Sequence, residues 1–342
     1  MRLQVTGWGA VSPAGWTAAA LSEAVQAGQP LPVAQERRPG WEIPLTLRRV
    51  PAPVVRPAFL AHPRLRRTSA ITCHAVSAAL EALRGEPKKL PVPANRLGVV
   101  LCVMAGCVSY SRRFFSELSA DPATASPLVF PETVFNAPAS HLAAFLGSDA
   151  INYTLVGNPG MYLQGVALAA HWLAEGRVEA CLVVGAEETD WMLADAWRHF
   201  DRDTPLAEGA GALLLQPAPP EAGQGIRLEA ITDFHHGTGQ QASKTVAHEM
   251  RAELPAGQTD ECLFLSTRGR PVRDRAELEI WREWPGMRLV PKQVLGEGLM
   301  AGVAWQCVAA CAALAQGACT AANISVVGPD LEAVGARLVR TP

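Results

Sequence analysis

Nucleophilic, acid–base and metal chemistry in this chain would fall first to its cysteines and histidines, eight of each. Cys73, Cys102, Cys107, Cys181, Cys262, Cys307, Cys311 and Cys319 are scattered, mostly inside apolar runs. None forms a CxxC and no His–Cys cluster has zinc spacing, so no metal site is expected. Small buried hydrophobes in a reducing cytosol account for them. His235-His236 precede Gly237-Thr238-Gly239 and read as a surface turn, while His141 and His171 sit in apolar helical patterns as core or interface histidines. The segment 151–188, INYTLVGNPGMYLQGVALAAHWLAEGRVEACLVVGAEE, reads as strand, sharp turn, buried helix and buried strand. Its turn is Gly157-Asn158-Pro159-Gly160. Asn158 is a favoured N-cap and Pro159 a favoured first helical residue, because proline lacks only an N–H that would be orphaned there. The turn is fit to start a helix and carries no nucleophile.

The elements around that turn belong to a large α/β protein. The length of 342 residues allows two domains or one large unit, and 49% hydrophobic residues supply an ample core. A net charge of −2, with acids and bases mixed, gives no reason to expect nucleic acid or an anionic membrane as partner. Arg64, Arg66 and Arg67 read as a solvated helix start. The opening MRLQVTGWGAVSP reads as a first strand rather than a signal peptide, which points to the cytoplasm. The apolar stretch 299–318 contains Gln306 and Gln316 and reads as a helix buried in a large core, not a membrane span.

Short apolar runs alternate with helical patterns. Leu3–Trp8 and Leu97–Met104 are expected strands, with 30–60 an extended Pro- and Arg-rich surface excursion between them. Helices are expected over Thr68–Leu83, where Gly85 and Pro87 stop the pattern, and over Ser140–Leu146, with Gly147 as C-cap. After the strand Ala212–Gln216 comes a linker at 217–225. Then follow a strand (Ile226–Thr232), a helix (Lys244–Leu254), a strand (Glu261–Ser266) and a helix from about Asp274 to Glu283. An apolar helix at 299–315 and a strand Asn323–Val327 finish the chain. Two αβ halves of similar order, 1–216 and 217–342, suggest an internal duplication.

Five stretches in order resemble the β-ketoacyl synthase family of the thiolase-like superfamily. They are VTGWGAVSPAG at the start, FPETVFNAPASHLAAFLG (130–147), VEACLVVGAEE (178–188), FDRDTPLAEGAGALLL (200–215) and TRGRPVRDRAELEIW (267–281). The resemblance implies a layered αβαβα fold of two duplicated halves, acting as a dimer. It also implies a mechanism that needs a cysteine at the start of a buried helix and two histidines, with no cofactor or metal. Matched without gaps, the cysteine position falls on Pro159 and the first histidine on Ser266, or on Thr267 if a gap intervenes. In Lys292-Gln293-Val294-Leu295-Gly296-Glu297 the lysine is retained and the second histidine becomes Glu297. A buried glutamate of the family becomes Trp305, and its gating loop is at best Val327-Gly328-Pro329-Asp330. Glu208 matches a structural glutamate.

Cys107 falls in a segment that approaches the active site in the family, but it reads as a thiol without a base. Glu297 in a cleft could act as an acid, or be exposed or paired. The helix Pro159–Glu175 is apolar on nearly every side and is expected to be buried all round, with dimer burial adding to the core. On this resemblance the chain is expected to be a catalytically degenerate homologue similar to chain-length-factor subunits. Such a subunit pairs with an active ketosynthase and has acyl carrier protein as a further partner. The alternatives are an acyltransferase or decarboxylase with altered residues, and a homodimeric acyl- or carrier-protein-binding scaffold.

Overall fold

The computed structural model describes residues 2–84, 90–218, 225–239, 242–328 and 330–341. The first half contains β1 (Leu3–Val11), α1 (Ala18–Ala27), β2 (Ala34–Glu36), β3 (Leu45–Arg48), α2 (Ala70–Ala82), β4 (Leu97–Val103) and α3 (Val108–Ala120). It continues with α4 (Ala137–Leu146), β5 (Asn152–Val156), α5 (Met161–Ala174), β6 (Ala180–Glu187), α6 (Trp191–Trp197), β7 (Leu206–Ala207) and β8 (Gly209–Pro217). The second contains β9 (Gly225–Ile231), β10 (His235–His236), α7 (Ala242–Ala252), β11 (Cys262–Phe264), α8 (Arg275–Ile280) and β12 (Met287–Leu289). It ends with α9 (Pro291–Leu295), α10 (Leu299–Ala315), β13 (Ala321–Val327) and β14 (Glu332–Thr341).

The strand order β12-β11-β13-β14-β9-β1-β8-β6-β4-β5 is the same arrangement used twice. In the first half β5, β4 and β6 run parallel while β8 and β1 follow antiparallel. In the second, β12, β11 and β13 run parallel and β14 and β9 antiparallel. The first strands of the two halves, β1 and β9, pair with each other. Helices repeat as well: α2 and α7 follow the first strand of each half, and α5 and α10 follow the third.

Packing turns this repeat into layers. α2 lies on β1, β8 and β6, and α4 on β4 and β5, forming one outer layer. α7 and α8 cover β14 and β13 on the opposite side. Between the two sets of strands lie α5 and α10, each touching strands of both halves. β4 and β6 are buried at every residue, as strands covered on both faces must be. Every residue of α10 from Leu299 to Leu314 is buried, so the helix is apolar on all sides because it has protein on all sides.

Several expectations change. β14, unread in the sequence, is the longest strand of the second half and joins it to β9 and β13. His235 and His236 are not a turn but a short strand paired with Ala333 and Glu332 of β14. Within 30–60, β2 and β3 pair and extend through β7 into a small three-stranded sheet. α5 is not buried all round. Tyr162, Leu163, Val166, Ala169, Trp172 and Leu173 face the core, whereas His171 is exposed and Leu168 and Ala170 are only partly covered. The C-cap Gly147 adopts the left-handed conformation at φ 68°, as expected. Most of the linker 217–225, the stop at Gly85 and Pro87, and Pro329 of the expected gate lie outside the described residues.

Candidate functional site

The duplication sets two turns in matching places, each leading into a central helix: residues 157–160 before α5 and 296–298 before α10. In the first, Gly157 N donates to Val103 O at 3.3 Å as the chain leaves β5. The backbone then tightens through three successive bonds: Met161 N to Asn158 O (2.9 Å), Tyr162 N to Pro159 O (3.2 Å) and Leu163 N to Gly160 O (3.1 Å). The α-helix itself starts at Met161, behind Gly160, with no side-chain cap. Asn158 and Pro159 are therefore not the N-cap and first helical residue. The Asn158 side chain lies beside Glu332 at the start of β14. Glu332 Oε1 also accepts Gly160 N at 3.4 Å. Pro159 is buried and offers neither a nucleophile nor an N–H. Gly160 is required by close approach, since a Cβ there would lie 2.9 Å from Val334 Cγ1 and 3.1 Å from the Phe234 ring.

In the second turn Glu297 is fully buried. Its Oε2 accepts from Lys292 Nζ at 2.9 Å and Arg268 Nε at 3.1 Å, and its Oε1 from Leu299 N at 3.0 Å. Arg268 reaches on to Asp201, with Nη1 3.7 Å from Oδ2. Burial pushes the Glu297 carboxyl up, but the Lys292 and Arg268 charges and the hydrogen bonds outweigh it, leaving it below the ordinary carboxylate value. Two cations thus face two anions in the interior. Of the three alternatives for Glu297, an acid, an exposed side chain or a paired one, the structure has the paired one, with three donors on the carboxylate.

Ser266 ends the run after β11, and its hydroxyl is occupied too. Its Oγ donates to Glu277 Oε2 at 2.7 Å and accepts from Val327 N at 2.9 Å, while its N–H donates to Glu277 Oε1 at 3.0 Å. Ser325 Oγ donates to Glu277 Oε1 at 2.6 Å and accepts from Trp281 Nε1 at 3.0 Å. Burial pushes Glu277 up to about 7 against these bonds and the nearby Lys292 charge. An open cleft of about 600 Å³ lies beside this network, lined by Ser266, Arg268, Glu277, Val327 and Gly328 with the polar side chains of α7 and α8.

Lys292 is the common centre. It bonds Glu297 and acts electrostatically on Glu277, which holds Ser266, and on Glu332, which holds the Asn158–Gly160 turn. The structure therefore brings Pro159, Ser266, Glu297 and Lys292 into one neighbourhood. Trp305 completes it. Its indole N–H is shared between Val11 O (3.0 Å) and Ala210 O (3.1 Å), and its ring fills space that requires glycine at 209 and 298.

The remaining candidates lie apart from chemistry. Cys107 is buried, and burial followed by Glu188, Glu132 and Glu187 pushes its thiol up, so no thiolate is available. His141 pairs with Glu132 at 2.9 Å, exposed His171 with Glu175 at 3.1 Å, and His235 with Glu249 and Glu253 at 3.2 and 2.5 Å. Glu208 is structural as expected, accepting from Arg49 (2.9 Å) and the Thr189 hydroxyl (3.0 Å). Among the described residues no group of three or more His, Cys, Asp or Glu could hold a metal ion. Sequence reasoning missed Arg268, Asp201 and Glu332. The first two lie within the quoted stretches 200–215 and 267–281, but nothing in their spacing says that they meet. Glu332 belongs to the unread strand.

As a sequence the chain matches no family model and no curated relative. As a structure it is similar to the ishigamide ketosynthase/chain length factor, at 22% identity and a TM-score of 0.82 over 100% of both chains. It is similar to a type II PKS acyl-carrier protein in complex with its ketosynthase, at 15% identity and 0.77 over 99% of each. A ketosynthase in complex with its chain length factor from Xenorhabdus doucetiae gives 13% identity and 0.76 over 99% of this chain and 98% of that one. With its two repeated halves and central helices, the protein has the thiolase-like fold of these ketosynthase and chain length factor structures.

Proposed function

We propose that this protein is a non-catalytic ketosynthase-like subunit of the chain-length-factor kind, working in the cytoplasm beside an intact ketosynthase that it stabilises. One observation carries the reading. The three positions gathered around Lys292 hold Pro159, Ser266 and Glu297, a set with no thiol, no imidazole and no free base. Decarboxylation and acyl transfer through a thioester need a nucleophile and groups that stabilise the developing negative charge. Here the cationic side chains are already neutralised by Glu297 and Asp201, and the proline has removed a backbone donor. On this reading 1–216 and 217–342 are the two halves of one unit, and the carrier protein is a partner of the complex.

The surface supports assembly. β5 is a sheet edge with Tyr153 and Val156 about half exposed, at 52% and 49%, and the segment before α4 exposes Phe130 and Phe135. A free edge with apolar side chains invites a second chain. The partly covered side of α5, carrying Leu168 and Ala170, lies next to that edge.

The test is a binding experiment with an intact Cys-His-His ketosynthase. Native mass spectrometry is expected to give a 1:1 complex, and Tyr153→Lys/Val156→Lys should weaken it by at least ~tenfold with unchanged far-UV circular dichroism. The chain alone should release no carbon dioxide from a malonyl thioester. A stable homodimer that takes no ketosynthase would overturn the pairing, and malonyl-thioester turnover by the isolated wild-type chain would overturn the loss of catalysis.

A further inference from the structure

The chain is nearly neutral, but its charge is unevenly spread. Between Glu42 and Glu81 there are six arginines and no aspartate or glutamate. Two of them turn inward: Arg48 bonds Leu31 O and Gln293 O, and Arg49 pairs with Glu36 and Glu208. The other four, Arg56, Arg64, Arg66 and Arg67, are exposed and form no ion pair among the described residues. Glu188, the carboxylate at the start of α2, is buried and taken by Ile71 N (3.0 Å) and Ser109 N (2.8 Å).

The four arginines share one loop with an apolar tip. The loop leaves the body where Trp16 Nε1 donates to Pro51 O at 2.7 Å, and the Trp16 ring meets His74 of α2 edge-on at 5.9 Å. It returns through two short 3₁₀ turns, Ala58–Ala61 and Pro63–Leu65, to Ser69 at the head of the same helix. There Arg67 O accepts from the Tyr110 hydroxyl at 2.5 Å. Both ends are thus tied within roughly one or two turns of each other on α2. At the bend between them Val54 and Val55 are 104% and 80% exposed. Pro51, Pro53 and Pro57 stiffen the backbone on either side, so little freedom remains to be lost when the tip is covered.

We propose that the 51–67 loop docks the protein on an anionic lipid bilayer, with Val54 and Val55 entering the outer apolar layer and Arg56, Arg64, Arg66 and Arg67 meeting phosphate headgroups. Guanidinium groups suit that role, because their planar fork matches phosphate oxygens in pairs and stays charged at any physiological pH. Aliphatic burial and attraction to a negative surface are the two forces that hold peripheral proteins on membranes, and the loop presents both.

The shape of the tip favours lipid over an acidic protein. An acidic protein would satisfy the arginines, but it would need a pocket to cover two valines that stand clear of their own chain. A bilayer covers a protruding aliphatic tip with no matching shape. The docking is peripheral: among the described residues no helix is long and apolar enough to cross a membrane. It needs no ketosynthase partner, so it stands or falls apart from the proposed function.

Co-sedimentation of the full chain with vesicles is the test. Wild type is expected to pellet with vesicles of equal parts phosphatidylglycerol and phosphatidylcholine and to stay in solution with phosphatidylcholine alone. Raising the salt should weaken the binding by screening the arginines. Val54→Asp/Val55→Asp and Arg66→Glu/Arg67→Glu should each weaken it by ~tenfold or more, with unchanged far-UV circular dichroism because all four side chains are exposed. Wild type that ignores the phosphatidylglycerol vesicles at low salt would overturn the proposal whether or not the variants fold. Binding lost with the arginine variant but kept by the valine variant would overturn it too, and would point to an acidic protein as the partner of this loop.

Discussion

Glu297 illustrates how a buried polar cluster is held by charge rather than by apolar filling. Lys292 and Arg268 both point at it, and their charges would be costly to bury without an anion between them. A histidine there would leave those cations short of a negative partner, so glutamate at 297 and the Arg268 contact belong together. Glu297→Ala is expected to cost about 3–5 kcal/mol, because it removes the one carboxylate that both buried cations bond directly. The double variant Lys292→Met/Glu297→Leu should recover part of that loss, since it removes one charge of each sign. Urea unfolding of the three proteins measures both effects. A single variant within about 1 kcal/mol of wild type would mean that water reaches the cluster, against its burial.

At the scale of elements, Glu277 works as a clasp. It is carried on α8 and holds the ends of β11, through Ser266, and β13, through Ser325. Its carboxyl is raised from an ordinary 4.5 to about 7 by burial. Below 4.5 both folded and unfolded chains hold the proton. Between 4.5 and 7 only the folded chain keeps it, so stability falls as pH rises through that window and levels off above it. The fall is on the order of 3 kcal/mol at one pKa unit per ~1.4 kcal/mol. Glu187, raised to about 8, adds a parallel slope in the first half. Unfolding followed from pH 4.5 to 8 should therefore show a decline that Glu277→Gln reduces and does not abolish. A variant with the wild-type slope would remove Glu277 as the source. The acidic stretch around this clasp is visible in the sequence, but its partners are serines at the ends of two distant strands. Periodicity finds α10 and β4 because burial on every side leaves an unbroken apolar run. It misses α1, α3 and α6, whose turns are short or whose faces are mixed. It misses β14 because glycine, arginine and glutamate interrupt that strand where Arg337 pairs with Glu261 at 2.7 Å and Glu332 reaches across to the α5 turn. The turn at Asn158-Pro159 was misjudged for a related reason. Local capping rules hold until a carboxylate from another element offers a competing partner.

For the molecule as a whole, the two halves repeat one another without being independent. α10 comes from the second half but lies against β8 and β6 of the first, and α5 of the first reaches β14 of the second. Trp305 hydrogen-bonds Val11 and Ala210, so a fully buried polar contact of α10 crosses the boundary. Cutting the chain at 216/217 would strip the first half of α10, which covers β6 and β8 together with α5. It would also leave α10 covered only by elements of its own half, with the side that packs on β8 and β6 open to water. Each fully buried leucine, valine or methionine side chain on such a helix is worth about 1.5–3 kcal/mol, so α10 cannot remain ordered in water by itself. The intact chain is accordingly expected to unfold in one cooperative transition, with tryptophan fluorescence and far-UV circular dichroism coincident. Fragments 1–216 and 217–342 expressed separately should show secondary structure, strong dye binding and no near-UV signal, the marks of collapse without packing. Mixing them should restore the near-UV spectrum if the central layer is what they lack. A first fragment that melts cooperatively alone would show that its core closes without α10, and the duplicated halves would then be two domains rather than one interior.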